Sequence, residues 1–331
     1  LDFGSLTSAT LGGLGGSTGI ALVNAVGAPV DLSVGSATSS TYLGSFSGAG
    51  SLTKVGSGTL TVNGAVGQTG GTTVAGGTLS LENSPALGSV DVQGGATLAL
   101  NGQSVTITAL TGAGNVDVGG STSDRARTLT FAPTGSAVFA GVMSGYGTLV
   151  IDGPGSQAFA AGQQFRGPLY LNRGTLVASA ETSLGGDLTE SIYIDGGTLR
   201  AAATMSIGTR STFQLGATGA TFSPDAATTL SLGAMSGPGA LVKTGAGTVF
   251  LGGVNSYSGG TTIDQGTLQF GANSSVIGEI VNHGTVLTSA NGLIVANNIS
   301  GSGSFLKSAG SITLTGTNTY TGLTTIQGQT L

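Results

Sequence analysis

The chain has no cysteine, no tryptophan, one histidine, seven prolines and few charges, 7 % of its 331 residues. Each scarcity excludes something. Without cysteine there is no disulfide framework and no thiolate metal site. That absence does not fix a compartment, but it suits a chain that must stay unlinked during export. Seven prolines, and glycines that do not recur every third residue, rule out collagen. No apolar run approaches the roughly 18–20 residues of a membrane helix. The net charge of −5 argues against nucleic acid as a partner, because nucleic acid favours basic faces. The basic residues form no run, and Arg125 and Arg127 come nearest to one. No signal peptide is visible. A chain that begins at Leu1 and ends inside a repeat reads as an excised or processed fragment.

What is present is glycine, 63 residues of it, with Thr, Ser and Val. Helix is disfavoured throughout, because the good helix formers never combine into a face of period 3.6. Short alternating runs of Thr, Val, Ile, Leu and Phe, cut by Gly and Asn, read as many short strands.

The chain repeats internally. Residues 52–79, LTKVGSGTLTVNGAVGQTGGTTVAGGTL, align without gaps to 241–268, LVKTGAGTVFLGGVNSYSGGTTIDQGTL. Residues 305–331 align with small shifts, and 148–176 form a weaker copy. A turn-then-strand unit recurs as SGAGSL at 47–52, TGAGNV at 111–116, SGYGTL at 144–149, SGPGAL at 236–241 and SGSGSF at 300–305. Gly-Thr-Leu-like markers place apolar residues at Leu60, Leu79 and Leu98 and at Val249, Leu268 and Val286, at intervals of 18 or 19; between Leu176 and Leu199 the interval is 23.

A period of about 20 residues, with short strands and glycine corners, is what a parallel β-helix requires. Inward Leu, Val, Ile and Phe stack in rows, and outward Thr and Ser pair along the outer face. Glycine supplies the positive φ of the corners, with Asn63 and Asn255 expected to do the same. The expected fold is all-β, a solenoid of on the order of 15 rungs. No composition shift marks a boundary within 1–331, so one continuous β-helix is expected. Irregular excursions are expected near 119–127, 161–170 and 181–190.

The unit SGAGSLTKVGSGTLTVNG…TGGTTVAGGTLSL, and still more LVKTGAGTVFLGGVNSYSGGTTIDQGTLQF, resembles the passenger-associated transport repeat of bacterial autotransporters, the type V secretion systems. The resemblance covers most of residues 41–331. It implies a right-handed β-helical passenger, exported through the outer membrane of a Gram-negative cell and exposed outside it. The family's C-terminal β-barrel is expected in the full-length protein, and its longer alternating strands and aromatic girdles are not in this sequence. Family members include adhesins, biofilm factors, toxins and carriers of appended enzymes, and the repeats do not choose among them.

The residues give little support to catalysis. A phosphate loop needs a Gly-Lys dipeptide running into a helix. Lys54, Lys243 and Lys307, the only lysines, instead precede their glycines and a strand follows. Each occupies one repeat-defined place, which favours a repeated structural or export role. The expectation is that the stem covers apolar corner surface while the ammonium stays in water. The motif GGSTG at 15–19 matches a serine-hydrolase elbow, but chance supplies such a match in this composition. The sole His283, in VNHGTV, reads as an exposed turn residue. Glycan cleavage needs grouped carboxylates. The closest pair is Asp187 and Glu190, with Tyr193 as the one nearby platform. The calcium-binding Gly-Gly-x-Gly-x-Asp nonapeptide is missing. Tyr42, Tyr257 and Tyr320 recur in Tyr-x-Gly contexts and read as core or corner packing, since a ligand platform needs several aromatics exposed in one line.

No catalytic, cofactor-binding or metal-binding residue is therefore assigned, and no cofactor is expected. The expected function is a non-enzymatic surface passenger. Its partners would be a host cell surface, matrix or glycan, or further passengers in self-association and biofilm. Two alternatives stand beside it. One is a polysaccharide- or ester-acting enzyme with a loop-borne site. The other is a display stalk for an N-terminal effector domain.

Overall fold

The computed structural model describes residues 1–120, 126–186, 190–207, 212–272 and 274–328. Among them the structure is all-strand except for one 3-10 turn at Glu181–Leu184, and the strands coil into a parallel β-solenoid of about 15 turns. The chain divides into two compact units, Leu1–Gly167 with Gly185–Asp187, and Pro168–Leu184 with Leu188–Leu331.

In the first unit, seven parallel strands form one sheet: Ser40–Tyr42, Thr59–Val62, Thr78–Leu81, Thr97–Ala99, Asn115–Asp117, Val142–Tyr146 and Gln164–Arg166. Parallel pairing needs a long crossover. Here the rest of one coil supplies it, so the chain returns to the same face each time. The Gly-Thr-Leu markers fall into register. Leu60 pairs with Leu79, Leu79 with Leu98, Leu98 with Val116, and Val116 with Met143. All five are buried, each contributing about 1.5–3 kcal/mol through the apolar surface it removes from water. One position before these residues, Thr59, Thr78 and Thr97 form an outward column.

The second unit repeats the plan. Its seven-stranded sheet comprises Met205–Ile207, Thr229–Leu232, Thr248–Leu251, Thr267–Phe270, Thr285–Thr288, Ser304–Lys307 and Thr324–Ile326. Leu230, Val249, Leu268, Val286 and Phe305 make its inward column. On another face, Leu176 pairs with Leu199 across the interval of 23, and Leu199 with Phe222.

The five turn-then-strand units account for part of the glycine content. The first glycine of each turn has a positive φ: Gly48 (94°), Gly112 (95°), Gly145 (105°), Gly237 (120°) and Gly301 (103°). L-residues with a Cβ rarely adopt that region. Asn63 and Asn255 do not share the role. Among the described residues, the non-glycine positive φ values belong to Asn101 and Ala227. Asn255 is instead buried and occupied in hydrogen bonds. Half of the segment 161–170 is strand, in Gln164–Arg166 and the start of Leu169–Ala178. Of 119–127, residues 121–125 lie outside the described set, as do 187–189 of 181–190.

Candidate binding surface and the repeat lysines

The strand Leu241–Lys243 ends at a glycine turn whose carbonyls have no ladder partner. Such groups are costly to bury unpaired. Lys243 turns inward, in a column between Phe222 and Ile263, and is fully buried. Its Nζ donates to the carbonyl oxygens of Thr244 (2.6 Å), Gly245 (2.8 Å) and, one coil on, Gln265 (3.0 Å). Lys54, in the first unit, repeats the cage on Val55 (2.8 Å), Gly56 (2.9 Å) and Gly76 (3.0 Å). Burial pulls both ammonium groups below their ordinary value, Lys243 to about 8. The expectation of a stem on the surface and a head in water is therefore overturned for these two residues, and Lys307 is buried too. All three ammonium protons are spent on main-chain oxygens, because the corners of two successive coils need a donor.

Lys307 is aligned with them in sequence but not in the fold. Its strand belongs to the seven-stranded sheet, where Lys307 pairs with Thr288 and Ile326. In the preceding copy that sheet takes Thr248–Leu251, not the lysine strand. Lys307 Nζ donates to Gln327 O at 3.4 Å.

Behind the cages the first threonine of each Thr-Thr pair is inward. Thr261 is buried and shares a 2.7 Å hydrogen bond with the Tyr257 hydroxyl. Gln68 fills the tyrosine's place in the first copy, its Nε2 donating to Thr72 Oγ1 at 2.9 Å. Buried amides close other strand ends. Asn255 Oδ1 accepts the Met235 N–H at 3.0 Å, and Gln163 Oε1 accepts that of Met143 at 2.8 Å. Sequence reasoning missed these clasps, although a lone Asn or Gln about 20 residues after a strand start is their signal. Tyr42 is buried against Phe46, with its hydroxyl donating to Thr18 O. Tyr320 is half-exposed.

The other residues weighed for chemistry are dispersed. Exposed His283 faces Ser302 Oγ from Nδ1 at 3.2 Å. Ser17 is exposed in the first unit. Asp187 and Arg125 lie outside the described residues, and Glu190 is half-buried. Among the described residues no three His, Asp or Glu side chains group so as to hold a metal ion.

The structure does assemble an aromatic platform. In the second unit, Tyr170 pairs in register with Tyr193, and Tyr193 with Gln214. The two rings stack with centroids 4.5 Å apart and planes within 6°. Both are half-exposed. They line a groove of about 250 Å³ with Asn172, Asp195, Gln214 and Pro238. Partial burial and the neighbouring Tyr193 raise the Tyr170 hydroxyl above its ordinary value. Gly216 leaves space that a side chain would take from Asp195, whose Oδ1 accepts the Thr218 N–H at 2.7 Å. In the first unit, Arg166 lies 5.8 Å over the ring of Tyr146, beside Gln164 and Ser144.

The passenger-associated-transport-repeat family matches residues 52–81, 241–270 and 307–331. A curated relative, the adhesin BmaC autotransporter of Brucella suis biovar 1 (strain 1330), is 32% identical over 277 residues, which cover 73% of this chain and 7% of the relative. The chain thus spans a small fraction of that relative's length. No solved structure matches it.

Proposed function

This chain is an autotransporter passenger domain built with passenger-associated transport repeats, and from that premise we propose that it is a non-enzymatic adhesive segment displayed on a Gram-negative cell surface. The observation that carries the reading is the identity, along 277 residues, to a protein named as an adhesin. The fold is suited to it. Outward columns such as Thr248, Thr267 and Thr285 repeat the same hydroxyl at each coil. Many weak polar contacts repeated at a fixed spacing add up to avidity. The partner is a host cell surface, its matrix or a glycan, or a second passenger, and an outer-membrane β-barrel elsewhere in the longer protein would carry the export.

Binding of purified 1–331 to cell monolayers and to immobilised matrix tests the proposal, with sedimentation reporting self-association. Saturable binding or concentration-dependent assembly is expected. A fragment that binds no cells or matrix and stays monomeric overturns the adhesive reading. It then favours a second reading, a display stalk. That reading is motivated by the small share, 7%, of the relative that this stretch represents.

A further inference from the structure

We infer that the groove beside Tyr170 and Tyr193 is a subsite for one hexopyranose unit of a neutral glycan. The assignment rests on the adhesive reading and gives it a ligand class.

The argument starts from the aromatic stack. Tyr170 and Tyr193 spend one face of each ring on the other. Along the ladder the next residue in their column is Gln214, which is exposed and cannot stack as a ring does. The second face of Tyr193 therefore borders the groove. An aromatic face bordered by polar tips is amphipathic in the way a pyranose is. A sugar ring carries a patch of axial C–H groups on its faces and hydroxyls around its rim. The C–H patch suits the tyrosine face, and the rim needs both donors and acceptors.

The groove supplies them. Asn172 stands two residues beyond Tyr170 on its strand and so shares its outer face, and Asp195, just past the end of Ile192–Ile194, lines the same groove. The Asn172 and Gln214 amides both donate and accept, and the Asp195 carboxylate accepts. Such a set can hold adjacent hydroxyls at one edge while the ring lies on Tyr193. A mostly apolar lining with few polar groups is the usual make-up of a ligand site.

Size and charge narrow the occupant. A cavity of about 250 Å³ falls just below the range of drug-sized sites, which start at roughly 300 Å³, so it takes one ring rather than a folded peptide segment. Asp195 is the only charged residue in the described lining, and the chain is net −5. Sulfated or uronic-acid sugars would meet like charge. A neutral hexopyranose does not.

The experiment uses the whole chain. Since the protein has no tryptophan, its fluorescence comes from six tyrosines, two of them these rings, and the groove variants identify their share of any response. Cellotetraose, maltotetraose, chitotetraose and, as the anionic comparison, heparin tetrasaccharide are titrated into it. Saturable change with at least one neutral sugar is expected, with a dissociation constant on the order of 1 mM. Tyr193→Ala and Gln214→Ala should each weaken it by about 10-fold or more, while circular dichroism and melting stay close to the parent. Tyr146→Ala, in the other unit, should leave it unchanged. If Tyr193→Ala melts early, Gln214→Ala alone carries the comparison, since that side chain is exposed. No saturable response to any neutral sugar overturns the inference, as does binding that survives both groove variants or prefers the heparin fragment. The adhesive reading fails separately. Cell binding without a sugar response leaves adhesion standing and removes this subsite, whereas a sugar response without cell binding does the reverse.

Discussion

The Nζ of Lys243 lies 3.0 Å from the carbonyl oxygen of Gln265, a residue one coil further along the chain. That bond ties the corner of one coil to the corner of the next. The two other bonds of the same ammonium stay within its own turn. A repeat lysine is thus a clamp between neighbouring coils, and its value depends on being buried.

Removing the clamp should be costly. Lys243→Met keeps the apolar stem but strips three buried carbonyls of their donor, at about 3 kcal/mol. Lys307→Met loses one long bond and should cost under about 1 kcal/mol. Urea unfolding midpoints of the two variants, measured side by side, check the difference. Equal small losses would mean that the ammonium of Lys243 is solvated.

Stability should rise with pH through the mildly alkaline range. The folded Lys243 titrates at about 8 and the unfolded one at its ordinary 10.5. Between those values the unfolded chain holds the extra proton, so raising the pH favours the fold. Lys54 acts in the same direction. Beyond about pH 10 the sign reverses. Burial raises the Tyr257 and Tyr42 hydroxyls above their ordinary value, so the unfolded tyrosines ionise first. Melting temperature measured across the alkaline range should pass through a maximum, and Lys243→Met should flatten its rising limb.

Gly266 should resist substitution more than Gly292. Both have positive φ, 67° and 70°. A Cβ on Gly266 would meet the carbonyls of Gly245 and Gly247 and lie 2.8 Å from Lys243 Nζ, whereas one on Gly292 meets nothing. Gly292→Ala should cost about 1 kcal/mol from the backbone alone. Gly266→Ala adds a displaced clamp and should exceed about 3 kcal/mol. Thermal melts of the two alanine variants give the comparison.

Tyr257→Phe should destabilise by about 1–2 kcal/mol, because Thr261 Oγ1 is left buried without its partner. Tyr320→Phe removes the corresponding bond to Thr324 at a half-exposed site and should stay within about 0.5 kcal/mol. Chemical denaturation of both variants separates the cases.

The pair Arg200 and Asp225 tests how little the surface ionic contacts matter. The bidentate bonds are short, 2.8 and 2.9 Å, yet both side chains are partly solvated. Arg200→Ala should cost no more than about 1 kcal/mol and less in high salt. A larger loss in a salt series would show that the outer face carries more of the stability than its exposure implies.

The coil itself was legible in the sequence. An inward residue must recur whenever the chain returns to a face. The spacing of Leu60, Leu79 and Leu98 therefore specified both the period and the partners. The turn glycines were legible for a similar reason, since a corner needs a φ that side chains resist. The interval of 23 between Leu176 and Leu199 also contained the tyrosine stack, because Tyr170 and Tyr193 are separated by the same number. The two rings belong to no repeat motif, so motif comparison passed over them and only strand register brought them together.

What the sequence by itself determined is the local and periodic part: strands, corners, one apolar column per face, and membership of a repeat family. What only the tertiary structure decided is the fate of polar groups at the corners. Whether a lysine after a strand reaches water or turns inward depends on where the unpaired carbonyls of the neighbouring coil lie, and residues 22 positions apart supply them. Lys243 and Lys307 have the same sequence context, but they stand on different faces and meet different carbonyls. Both are buried, and their roles differ because hydrogen-bond satisfaction is a property of the stacked coils, not of the repeat.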